Sequence, residues 1–238
     1  MLKEKQKKYL LFSFLIITIN SSVFAQGNNL PYVDDKLIHF GFSLGINAMD
    51  FGILPSLQDI NGKTYEADVS TLKPGFSVGI ISDLRLNRYL NLRFTPSLHF
   101  GERELTYREV GTNLKDSVSI TSIPISMPLY LKYSSERKGN YRPYLLWGGG
   151  AYLDLGRDKS KPVLLKPLDF YTEFGVGCDI YFSFFKLSPE LKFALGFNDM
   201  FTPLDQRDAG FVSESDKKYS LALSKLTSRM FTLTFNFE

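Results

Sequence analysis

Along residues 185–197 the side chains alternate. Phe185, Leu187, Leu191, Phe193, Leu195 and Phe197 share one face, and Lys186, Ser188, Glu190, Lys192, Ala194 and Gly196 share the other. A period of two marks a β-strand with one apolar and one polar side. Residues 90–101 repeat the pattern, with Leu90, Leu92, Phe94, Leu98 and Phe100 set against Asn91, Arg93, Thr95, Ser97, His99 and Gly101. Residues 231–238 repeat it again, with Phe231, Leu233, Phe235 and Phe237 opposite Thr232, Thr234, Asn236 and Glu238. No segment beyond residue 25 keeps a helical period, so the expected fold is all-β.

Eight such segments can be counted, beginning near His39, Phe76, Leu90, Ser119, Arg142, Leu168, Phe184 and Leu221. The fifth is the least regular, because Gly148, Gly149 and Gly150 interrupt it. Connections alternate in length. Short turns are expected near Asn87 and Arg88, at 134–140 and near Ser183, and long polar loops at 48–72, 102–116, 156–166 and 198–219. Short periplasmic turns and long external loops are the habit of outer-membrane barrels. An eight-stranded antiparallel transmembrane barrel with both termini periplasmic puts all four long loops outside.

A soluble eight-stranded barrel also alternates, but with its apolar face inward. Three features favour the membrane: an export signal, a heavily charged polar face, and a last strand rich in aromatics. Residues 1–25 read as the signal. Lys3, Lys5, Lys7 and Lys8 precede an apolar run over 9–19, and Val23, Phe24 and Ala25 suit a signal peptidase. That run is shorter than the roughly 20 residues a spanning helix needs. Cleavage before Gln26 would leave 26–238 as the barrel domain, and Gln26 is not a lipoprotein cysteine. Removing the leader's four Lys and one Glu from totals of 28 and 25 leaves 24 of each sign. A neutral mature chain gives no support for nucleic-acid binding. The single cysteine, Cys178, excludes an internal disulfide and a thiolate metal cluster. Phe and Tyr number 21 and 13, a profile suited to a membrane barrel.

Few residues suggest chemistry. His39 and His99 fall on the polar face, where a histidine beside Ser and Glu could form a hydrolase site. No nucleophile motif accompanies them, and a hydrogen-bonded interior histidine is the simpler reading. The glycine triplet lacks the Lys-Ser/Thr of a phosphate loop and suits a kink or close packing against bulky interior side chains. Asp34 and Asp35 have no calcium-loop spacing around them. The informative set is Asp83, Arg85, Arg93, Lys132, Asp154, Glu173, Asp179, Lys186, Glu190 and Lys192, all on polar faces and equally divided in sign. An eight-stranded bore is just wide enough for side chains to fill. These charges are expected to pair into a plug, a proton or ion path being the alternative. No cofactor, metal or small-molecule substrate is indicated.

Residues 31–42, PYVDDKLIHFGF, resemble the start of the mature PorT family, Bacteroidetes outer-membrane barrels linked to type IX secretion and, in gliding species, to motility. Residues 123–133, 175–182 and 187–193 are similar to that family's mid-barrel strands, motifs shared with many related barrels. The resemblance spans the whole mature chain and implies a non-enzymatic component of secretion, in contact with outer-membrane lipid and other secretion-system proteins. The alternatives are a general barrel serving as adhesin or envelope-stability protein, and a lipid hydrolase or acyltransferase using His39 or His99. One departure is the C-terminus: many such barrels end in Phe, whereas Glu238 follows Phe237 here. The polar segment with Pro31, Tyr32, Asp34, Asp35 and Lys36 precedes the first strand and is expected to be free to dock on a periplasmic partner.

Overall fold

The computed structural model describes residues 28–56, 59–60, 63–69, 72–109, 115–157, 161–207, 213 and 216–238. The expected leader lies outside them. The strands are β1 (Ile38–Pro55), β2 (Asp59–Ile60), β3 (Lys63–Val69), β4 (Pro74–Arg85), β5 (Leu90–Phe94), β6 (Ser97–Glu109), β7 (Lys115–Ser122), β8 (Pro124–Ser134), β9 (Tyr141–Asp154), β10 (Leu168–Tyr181), β11 (Lys186–Gly196) and β12 (Leu223–Phe237). A five-residue helix, α1 (Lys217–Leu221), precedes β12.

All pairings are antiparallel, and β1 is bonded to β4 on one side and β12 on the other, so the sheet closes. Three pairs of strands run end to end: β3 with β4, both lying on β6; β5 with β6, interrupted at Pro96; and β7 with β8, interrupted at Ile123. The result is a ring of eight staves. Proline has no ladder N–H, which accounts for the interruption at Pro96. The glycine triplet does not break β9, which runs through it with Gly148 paired to both Tyr130 and Glu173. A side chain at Gly148 would strike the Leu129 carbonyl and Tyr130 backbone, so the close packing expected there is what the register demands.

The termini share one end of the ring with the three short turns. At 86–89, Asn87 Oδ1 accepts from the backbone N–H of Tyr89 and Leu90, each at 2.8 Å. The turn over 135–140 contains Gly139 at φ 61°, a value that favours glycine. The third turn spans 182–185. Rings stack along the outside of this end, Phe182 on Phe185 at 5.0 Å and Phe42 on Phe237 at 4.9 Å.

Around the middle of the ring the outer face is apolar. On β1 the outward series is Phe40, Phe42, Leu44, Ile46 and Ala48, and Leu129, Trp147, Phe174, Leu191 and Leu233 continue the band on other strands. Nine residues from Phe40 to Ala48 match the length of a bilayer-crossing strand. Beyond them the wall inverts. The outward residues become Asp50, opposite Arg229, and Glu102 and Glu104, each 3.1 Å from Lys73. The inward ones become Phe51, Leu105, Tyr107, Ile120 and Leu226, packed with Val163, Met200 and Phe201 from the connections. The barrel therefore continues above the hydrocarbon as a water-facing cylinder with an apolar interior.

This inversion corrects two expected loops. Much of 48–72 and 102–116 is strand: β1 continues to Pro55, β6 to Glu109, and β7 begins at Lys115. Their polar residues face water from the outer wall, and polarity alone had suggested loops. Positions 57–58, 61–62, 70–71 and 110–114 lie outside the described residues.

Two expectations follow. Leu44→Arg, in mid-band, should cost about 2–4 kcal/mol, and Leu54→Arg, on the same face above the band, about 0.5 kcal/mol or less. Urea unfolding in lipid vesicles measures both, and equal losses would misplace the band. An epitope tag within 198–219 should be reachable on intact cells and one within 135–140 should not; the reverse would invert the orientation.

Candidate functional site

The lower bore holds the charged set. Arg93 on β5 is 1% exposed and extends one nitrogen to each of three carboxylates: Nε to Asp83 at 2.7 Å, Nη1 to Glu190 at 2.6 Å and Nη2 to Glu238 at 2.9 Å. Lys186 meets Glu238 at 2.9 Å, and Lys132 meets Asp179 at 2.8 Å. Tyr144 donates to Glu190 at 2.7 Å, Ser188 donates to Asp179 at 2.6 Å, and Tyr130 donates to Glu173. The Lys132 ammonium lies 3.9 Å from the Tyr144 ring centre, and Lys192 is 3.9 Å from Glu190. Ionised groups withdrawn from water are tolerated only when paired and hydrogen-bonded, and this arrangement supplies both.

Eight of the ten charges singled out in the sequence gather here. Arg85 does not: it sits half-buried at the mouth, 3.3 Å from Asp35. Asp154 stands apart near the far end of β9. Its Oδ1 accepts from the backbone N–H of Ile123 at 3.0 Å and Gly156 at 2.9 Å, and it receives the Ser122 hydroxyl, so it holds a chain crossing in place. Sequence reasoning left out Glu238 and the bore tyrosines Tyr130 and Tyr144. Both had a signal: Glu238 continues the Thr232, Thr234, Asn236 face, and each tyrosine occupies an inward position of its strand.

Above this set lies a second polar layer. His99 is hydrogen-bonded through Nδ1 to Ser77 at 2.8 Å and through Nε2 to Ser126 at 2.9 Å, and Asn47 donates to Ser77 at 2.7 Å. No carboxylate contacts the His99 ring among the described residues. The imidazole is thus buried between two serines without the orienting acid that a hydrolytic triad requires. His39 is likewise buried, near the mouth. Tyr152 and Tyr171 stack at 3.8 Å, and Arg103 lies over Phe51 at 4.6 Å.

The segment expected to dock freely is bound instead to its own barrel. Asp34 accepts from the Tyr181 hydroxyl at 2.8 Å and pairs with Arg142 at 3.4 Å and Arg137 at 3.7 Å. Asp35 pairs with Arg85, and Asn29 donates to the Tyr181 carbonyl at 3.0 Å. Residues 33–35 form a 3-10 turn, so the segment is a strap across the mouth. Pro31, Tyr32 and Lys36 turn outward, and the Asp35 side chain is exposed beside Arg85. The physical reason is charge: the turn over 135–140 and the start of β9 supply the cations that capture Asp34. Beneath the strap, the space bounded by His39, Lys132, Asp179 and Lys186 amounts to about 10 Å³, roughly one water.

Arg93→Met should strand three buried carboxylates and cost about 3–5 kcal/mol, against about 1 kcal/mol or less for Arg85→Met at the mouth. Equilibrium unfolding in detergent compares them, and equal losses would deny Arg93 its central place.

The family model for an outer membrane protein beta-barrel domain matches residues 24–202, well over half of the chain. No curated protein matches. Among solved structures, the outer membrane protein OprG from Pseudomonas aeruginosa aligns at 12% identity and TM-score 0.44, covering 84% of this chain and 92% of its own. AlkL, solved in lipid bilayers, aligns at 12% identity and TM-score 0.34, covering 92% and 93%. The closed ring, its apolar belt and the family match put the protein in the outer membrane. The chain belongs to the outer membrane protein β-barrel domain family.

Proposed function

We propose that this small outer-membrane barrel is a non-enzymatic component required for type IX protein secretion. It acts through protein contacts on the assembly, sorting or regulation of a separate translocon. The observation that carries the indirect role is the filled bore. Arg93 and its carboxylates occupy the lower half, and Phe51, Leu105, Tyr107 and Leu226 occupy the upper half. A folded cargo protein has no route through such an interior. The secretion role itself rests on the similarity of residues 31–42 to the PorT family. Partner proteins are expected at the two ends, on the strapped periplasmic mouth and on the water-facing upper wall. That upper wall also favours a second reading, a surface adhesin or envelope-stability protein.

Deleting the gene should trap secreted cargo in the periplasm, and normal secretion would move the assignment to the second reading. The purified barrel in planar bilayers should show no large, stable conductance; a wide open channel would overturn the closed-bore argument.

A further inference from the structure

At the outer tip, β3, β6, β7 and α1 meet around a cleft of about 180 Å³. Three tyrosines line it: Tyr65 on β3, Tyr107 on β6 and Tyr219 on α1. Tyr107 and Tyr219 are in ring contact at 4.9 Å, tilted by 60°. Tyr219 donates its hydroxyl to Asp116. Tyr107 is 1% exposed, yet its hydroxyl has no hydrogen-bond partner among the described residues. Burial pushes that hydroxyl well above its usual titration range. Glu109 and Lys115 complete the rim.

The chemistry of the walls selects among ligands. An organic cation would seek the tyrosine faces. Lys218 already holds that position, its ammonium 4.8 Å from the Tyr219 centroid, 5.7 Å from Tyr65 and 4.0 Å from Asp116. An anion would meet the carboxylates of Glu109 and Asp116. Two acids and two ammonium groups leave the cleft without net charge. What suits it is a neutral molecule with apolar C–H faces for the rings and hydroxyls for the carboxylates and ammonium groups. We propose that this cleft binds a neutral saccharide unit at the cell surface. This binding is separate from the secretion role and does not depend on it.

The test uses the full barrel, labelled and held in nanodiscs, on a printed array of lipid-free neutral and acidic oligosaccharides, with choline titrated separately. Neutral sugars should be retained. Tyr65→Ala and Asp116→Asn should each weaken retention about tenfold or more, with melting temperatures unchanged. Melting temperature separates a lost contact from a lost fold, and Asp116→Asn keeps the side-chain shape. No retention of any neutral sugar would overturn the proposal, as would preference for acidic sugars. Choline binding by Lys218→Met tighter than the native barrel's sugar binding would overturn it too, marking the rings as a cation site.

Discussion

One guanidinium shared among three carboxylates holds the lower half of this molecule together. Asp83, Glu190 and Glu238 come from staves on both sides of the closing seam between β1 and β12, and Arg93 reaches all three. In a bore too narrow for bulk water, none of these groups is tolerable alone. Together they require that β4, β5, β11 and the end of β12 be present and correctly aligned. Lys186 on β11 ties the neighbouring β11–β12 pair through Glu238, whose backbone also exchanges hydrogen bonds with Lys186 at 2.7 and 3.0 Å. Glu238 is therefore a structural member of the interior.

Solvent decides the rest. A strand exposes one parity outward and the other inward along its whole length. Where lipid surrounds the wall, the outward parity is Phe, Leu and Ile, and the inward parity carries the charges. Where water surrounds it, the same strands carry Asp50, Glu102 and Arg229 outward and Phe51, Leu105 and Tyr107 inward. Along β1 and β12 the ladder pairing runs unbroken through the crossing. The apolar interior of the upper part then does what a soluble core does, drawing Val163, Met200 and Phe201 in from the connections to close the end.

This explains which parts could be read from the sequence. The stave count and the faces in the lipid zone follow from alternation alone, as along 185–197. The upper extensions did not, because Glu102, Glu104 and Arg108 look like a loop until the wall is known to pass into water. Asp154 has the parity of the bore but lies above the charged layer, and parity carries no information about height. The strap was misjudged for a different reason. Its anchors, Arg137 and Arg142, lie more than a hundred residues away, and only closure of the ring brings them to Asp34.

The charges also fix register. Shifting any one stave by a single residue would exchange its two faces. For β11 that exchange would turn Lys186, Glu190 and Lys192 into hydrocarbon and Leu191 and Phe193 into the charged bore. A charged side chain at mid-membrane costs about 2–4 kcal/mol on the lipid face of a barrel, so three together oppose the slip strongly. The abandoned partners inside would add their own penalty, because Arg93 would lose Glu190 and Glu238 would lose Lys186. An interior of leucines would tolerate the slip far more easily. The buried network therefore specifies one alignment of the staves, whatever its net contribution to stability, and the strap, the mouth and the tip cleft inherit their positions from it.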